Sequence, residues 1–327
     1  MPCITDVPGV LVGHAQDDRA LTGCTAVLAM GGAAAGVDVR GSAPGTRETD
    51  LMRPCNLVER VHAVMLAGGS AYGLDAACGA MQFLEERGAG FDTGFGVVPI
   101  VGGAVIFDLD IGDPKVRPDR RMGYAACVAA SADPPAEGNV GAGLGATVGK
   151  TWGPQHAMKG GIGTWAVKLP RQAGDPEPVV VGALVVVNAL GEVADPDTGR
   201  VIAGAYHRVS KRFLQEKPGP AALWGFGGNT TLVVVATSAR LDKEGANKVA
   251  QMAHDGLARV IRPVHTMYDG DVVFALSTGD RPFTGNRAAD ITVLGAAAAD
   301  AVAVAIVRAV KAATAAGGVP AARDIGA

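Results

Sequence analysis

Apolar positions in this chain gather into short unbroken runs instead of alternating with polar ones. Val61–Ala67, Val97–Ile100 with Ala104–Phe107, Val179–Val187, Leu232–Ala236 and Val272–Leu276 are rich in Val, Leu and Ile. Such runs predict strands buried on both faces. Helical stretches lie between them, over Ala71–Arg87, Met122–Ala130, Lys243–Ile261 and Ala289–Ala315. In the third, Val249, Met252, Ala253, Leu257, Val260 and Ile261 recur at three- and four-residue spacing and form one apolar side, while His254 falls on the polar side and reads as solvated. Strands interleaved with helices imply a layered α/β protein. No internal repeat of solenoid or propeller length stands out, so a single domain over residues 1–327 is expected.

Composition narrows the picture. Hydrophobic residues make up 48% and charged residues 19%, which excludes a disordered chain. The net charge of −3 provides no field for a polyanion, so nucleic acid is not expected as a partner. Glycine, 47 of 327 residues, is about twice as frequent as usual, and aromatics are only 5%. Small side chains therefore build the core, and helices should pack closely on sheets. Cys3, Cys24, Cys55, Cys78 and Cys127 form no CxxC pair, and the start MPCITDVPGV lacks the basic and apolar stretches of a signal peptide. Reduced thiols and a cytoplasmic location are expected. The most apolar late stretch, Ile291–Val310, is interrupted by Asp300 and Arg308 and reads as a buried helix of a soluble protein, not a membrane span.

Several motifs resemble chemistry without meeting its spacing. GLGATVGKT (143–151) has Leu144 where a phosphate-binding loop needs its first glycine, so no nucleotide site is expected. In AGGSAYG, Tyr72 replaces the second glycine of a nucleophile elbow around Ser70. The turn still places the amides of Gly69, Ser70 and Tyr72 at the start of a helix, where they are candidates for lining a substrate site. The six histidines make no metal-ligand spacing, so no metal is expected. Asp108, Asp110 and Asp113 read as solvated carboxylates of a surface connector, Asp108–Arg121. Pro170–Pro178 reads as a second connector, and Lys217–Asn229 as a third, glycine-rich one.

This last connector runs straight into a buried strand that begins Thr230-Thr231. If the Asn229–Thr230 bond is cut, Thr230 carries both a hydroxyl and an α-amine. The amine, with a pKa of about 7.7 to 8.0, is partly neutral near pH 7 and can take the hydroxyl proton. Nucleophile and base then reside in one residue. The preceding Gly227 and Gly228 permit the distortion that self-cleavage requires.

LAGGSAYGL (66–74), MKGGIGTW (158–165), VGALVVVNALGEV (181–193), GFGGNTTLVVVATSARL (225–241) and DGDVVFALSTG (269–279) together resemble the self-processing aminopeptidase family. That family includes L-aminopeptidase/D-esterase, β-aminopeptidases and nylon-oligomer (6-aminohexanoate oligomer) endo-hydrolases. The Asn-Thr junction is the one the last branch shows. The resemblance implies an α-β-β-α sandwich-like domain, related at fold level to ornithine acetyltransferase, that is cleaved into residues 1–229 and 230–327 and assembles as a homo-oligomer, often a tetramer. It also implies roles for individual residues. Thr230 is the nucleophile, Asn188 the oxyanion-side donor and Lys159 the active-site lysine. Asp269 and Asp271 are the acids that orient the nucleophile and assist processing, and Tyr124 is the accompanying tyrosine. Around Gly270 the two acids would point to the same side of a strand, whereas Thr231 would point away from Thr230 and be structural.

The expected activity is hydrolysis of small linear amides or oligomers through an acyl-enzyme, without metal or organic cofactor. Aminopeptidase action on short or β-amino peptides, acyl transfer to an amine, and an unprocessed α/β binding protein are the alternatives.

Overall fold

The computed structural model describes residues 1–170, 177–214 and 228–325. Nine strands join in one continuous mixed sheet: β1 (Leu11–Asp17), β2 (Thr22–Val39), β3 (Thr46–Arg47), β4 (Val61–Ala67), β5 (Val101–Val105), β6 (Gly161–Leu169), β7 (Val179–Asn188), β8 (Thr230–Thr237) and β9 (Val272–Ser277). Their order is β6-β7-β8-β9-β2-β4-β5-β3, with β1 paired to β2. The long strand β2 belongs to two layers. Its first part pairs with β1 and β4, its register shifts between Leu28 and Ala33, and its last part pairs with β9. Two parallel pairs, β4·β5 and β8·β9, are each bridged by a helix, α1 (Ala76–Glu85) and α3 (Lys243–Val260). The remaining helices are α2 (Arg120–Val128) and α4 (Arg287–Ala312).

Alternation along the buried strands sorts side chains into three cores. Leu184, Val186, Leu232, Val234 and Phe274 face Val27, Val64, Leu66 and Ile106 between the two layers. Val181, Val185, Val233 and Val273 point the other way, against α3 and α4. Ala63 and Met65 meet α1 and α2. This is the α-β-β-α layering that the resemblance implies. Each buried Val or Leu contributes about 1.5–3 kcal/mol of transfer free energy.

Most predicted strands and helices are present within a few residues. The run at 97–107 divides differently: Val97–Val98 forms a small hairpin with Phe91–Asp92, and only Val101–Val105 joins the sheet. The helix expected from Ala71 opens as a 3-10 segment, Ser70–Asp75, and becomes α-helical at Ala76. The end of the first connector is helical because Asp119 caps Met122 N–H at 2.9 Å. Residues 171–176 of the second connector and 217–227 of the third lie outside the described residues. The length and hydropathy of α4 would suit a membrane span, but 67% of its most apolar window is buried inside the protein, as a core helix requires. His254 is buried, not solvated, because its Nε2 meets the Asp38 carbonyl at 3.0 Å.

Candidate active site

Three strand ends meet at one edge of the β6–β9 layer. Because β7 and β8 are antiparallel, Asn188, the last residue of β7, lies directly opposite Thr230, the first of β8. Because β8 and β9 are parallel, the segment entering β9 arrives at the same edge and brings Asp269, Gly270 and Asp271 with it. Asn188, Asn229, Thr230, Asp269 and Asp271 are all buried there.

The Asn229–Thr230 peptide lies at the centre. The Thr230 hydroxyl donates to the Asn229 carbonyl oxygen at 2.5 Å, and Gly270 N–H donates to the same oxygen at 2.9 Å. Gly270 has to be small, since a Cβ there would stand 2.7 Å from Thr230 Oγ1. The flanking acids hold the frame. Asp271 accepts Thr231 N–H at 2.7 Å through one oxygen and both the backbone N–H and Nδ1 of His265, at 3.1 and 2.8 Å, through the other. Asp269 accepts Thr266 N–H and hydroxyl at 2.8 and 2.6 Å and Leu190 N–H at 3.4 Å. Burial, and then the charge of Asp271, raise the Asp269 carboxyl above its ordinary range.

Asn188 is fixed by five bonds. Its Oδ1 accepts from Lys150 Nζ at 2.9 Å, Thr147 N–H at 3.0 Å and the Thr147 hydroxyl at 3.4 Å. Its Nδ2 donates to the carbonyls of Phe107 and Gly228 at 3.0 and 3.2 Å. This donor therefore grips the carbonyl one residue before that of Asn229, whose own oxygen is held by Gly270 N–H.

Lysine 159 is fully buried and donates to the Leu144 and Ala146 carbonyls at 2.8 and 2.7 Å. Burial lowers its pKa to about 7. Lys150 was hidden in the failed phosphate-loop motif and lies beside Asn188. Its Nζ reaches Gly228 O at 3.0 Å, and burial lowers its pKa to about 8. Asp108 is buried, in contrast to its expected solvation, because its two oxygens accept Thr22 Oγ1–H at 2.7 Å and Gly69 N–H at 2.6 Å. Burial raises its carboxyl, and its charge favours the protonated forms of both lysines.

Other expected residues are dispersed. Tyr124 sits on α2 with its hydroxyl on Glu86 at 2.7 Å and its ring edge-on to Phe83, so helix packing holds it in the outer layer. Among the described residues, Phe107 brings an aromatic ring to the site. It lines a cavity of about 130 Å³ beside Thr230, together with Pro44, Ser70 and Ile106. Ser70 therefore does reach the site. Gly69 serves it indirectly by donating to Asp108, and Tyr72 turns outward, exposed, against the Arg117 guanidinium.

The model of peptidase family S58 matches residues 2–323. An uncharacterized aminopeptidase of Mycobacterium tuberculosis is 45% identical, covering 99% of this chain and 98% of that protein. A 6-aminohexanoate-oligomer endohydrolase of Kocuria sp. is 32% identical, covering 94% and 85%. Among solved structures, a Burkholderia sp. β-aminopeptidase superposes with a TM-score of 0.71 at 26% identity, covering 99% of this chain and 92% of that one. The L-aminopeptidase D-Ala-esterase/amidase of Ochrobactrum anthropi, described as a variant of the Ntn hydrolase fold, gives 0.74 at 22% identity, covering 97% and 88%. A buried threonine opening a central strand, a fold shared almost end to end and a family match across nearly the whole chain lead to one conclusion: this chain belongs to peptidase family S58, the self-processing amide and peptide hydrolases.

Proposed function

We propose that Thr230 first opens its own preceding peptide bond and then, as an N-terminal residue, hydrolyses small linear amides or amide oligomers. The observation that carries this reading is the double hold on the Asn229 carbonyl oxygen by Gly270 N–H and the Thr230 hydroxyl. Attack of Thr230 Oγ1 on that carbonyl carbon places the developing negative charge on an oxygen already facing a fixed donor. Breaking the C–N bond leaves an ester on Oγ1 and a free α-amine on Thr230. Water hydrolyses the ester, giving residues 1–229 and 230–327.

In the mature protein the same hydroxyl attacks a substrate amide with its α-amine as base. The leaving amine takes the proton, and water releases the acyl group. Asp271 keeps the strand start in place through Thr231 N–H, and Asp269 anchors the turn that carries Gly270. Lys159 and Lys150 bring positive charge under the site. The oligomer hydrolase relative supports amide oligomers as substrates, and the mycobacterial relatives support short peptides as a second class.

We place the processed protein in a homo-oligomer, as the family resemblance implies, and in the cytoplasm, because its cysteines are free. To test the function, processed protein is incubated with a p-nitrophenyl ester, quenched and peptide-mapped. An acyl group on Thr230 is expected. Stable acylation of another side chain would contradict the reading.

A further inference from the structure

Before it is cut, the chain is its own first substrate. The ester formed by self-cleavage joins Asn229 to Thr230 Oγ1, the same bond that an acyl-enzyme has with any substrate. The positions of Asn229 and Gly228 therefore mark where a substrate's acylating residue and its upstream neighbour lie. From this we infer that the site selects amides whose acyl half carries a further carbonyl oxygen, in place of a free amine, and that Lys150 reads that oxygen. This inference rests on the function proposed for Thr230.

The Gly228 carbonyl accepts from Lys150 Nζ at 3.0 Å and Asn188 Nδ2 at 3.2 Å. Both donors are buried and held from behind. Lys150 N–H is pinned to Leu190 O at 2.9 Å, and its Nζ also reaches Asn188 Oδ1. Lys150 thus differs from a swinging surface lysine. When residue 228 leaves after cleavage, two donors remain without that acceptor, and a peptide-like or oligoamide carbonyl replaces it atom for atom. A free α-ammonium in that place meets a like charge and an amide N–H₂, with no acceptor.

Among the described residues, each oxygen of Asp269 and of Asp108 already accepts from a donor described above, which an ammonium would have to share. Asp110, exposed and within electrostatic reach of Lys150, is the described carboxylate best placed to take the amine.

The test uses processed protein and two anilides built on the chain's own junction, acetyl-Asn p-nitroanilide and Asn p-nitroanilide. The acetyl carbonyl stands where Gly228 C=O stood. The acetylated substrate is expected to have at least tenfold higher kcat/KM. Lys150→Met should bring the ratio close to one, mainly by raising KM for the acetylated substrate; if this variant stays uncut, the wild-type ratio decides alone. A cut chain that prefers the free amine overturns the inference, and loss of that preference in Asp110→Asn would identify the site as amine-binding. An uncut wild-type chain that hydrolyses neither anilide overturns the reading of Thr230 itself, and the inference with it.

Discussion

Gly270 donates its backbone N–H to the carbonyl oxygen of Asn229 at 2.9 Å, on the peptide bond that Thr230 closes. A main-chain donor is already fixed before reaction and does not have to be reorganised during it. The residue between two buried acids thereby touches the Asn229–Thr230 peptide, and the acids hold that residue in place.

Gly270→Pro deletes this donor, and Gly270→Ala, which adds the same crowding Cβ beside Thr230 Oγ1 but keeps the N–H, is the reference against which it is compared. Conversion of purified precursor, followed on denaturing gels, is expected to slow by about 100-fold, the usual cost of losing one oxyanion donor. Conversion at the wild-type rate, in a variant whose circular dichroism matches wild type, would remove Gly270 from the mechanism.

Lys159 makes stability depend on pH. Its folded pKa, about 7, lies below the ordinary 10.5, so unfolding takes up a proton between those values and stability rises with pH across that window. In a Thr230→Ala background, which keeps the chain whole, urea unfolding at pH 7, 8 and 9 should show the Lys159 chain gaining on its Lys159→Met counterpart. The gain expected is about 1.4 kcal/mol per pH unit. Parallel profiles for the two would show that Lys159 is not held near neutrality by burial.

Thr231 gives its backbone N–H to Asp271, while its buried hydroxyl has no partner among the described residues. Thr231→Val keeps the shape and the N–H. Self-cleavage should be unchanged, and stability should hold or rise by about 1 kcal/mol in denaturant titration. Loss of cleavage would give the hydroxyl a chemical role.

Tyr124 hydroxyl meets Glu86 at the protein surface. Tyr124→Phe should leave both self-cleavage and amide hydrolysis within twofold of wild type. A drop of tenfold or more in kcat would return the tyrosine to the active site.

The strands rich in Val, such as Val61–Ala67 and Val179–Asn188, were legible because nothing but burial on both faces suits them. The longest strand was not. Thr22–Val39 is half Gly and Ala, which carry little strand propensity, and it is held by pairing with β1, β4 and β9. Its small residues answer a packing demand invisible in one dimension: a Cβ on Gly36 would stand 2.1 Å from Asn247 N on α3. The family resemblance singled out Thr230, Asn188, Lys159 and the two acids; Thr230, Asn188 and the acids do gather at one strand edge, and Lys159 pairs with Thr147 beside Asn188. Lys150 was passed over and Asp108 was misread because their burial depends on partners far along the chain, Asn188 for one and Thr22 for the other. Tyr124 failed for the opposite reason, since its helix packs on α1 and carries it away from the strand edge.

The central claim is that Thr230 frees itself. Intact mass of freshly purified and aged protein under denaturing conditions, with N-terminal sequencing of the smaller piece, tests it most directly. The 32.9 kDa chain should resolve into fragments of about 23 and 10 kDa, the smaller beginning Thr-Thr-Leu, while Thr230→Ala stays whole. A wild-type chain that keeps a single mass, or a Thr230→Ala chain that is cut at the same bond, would contradict it.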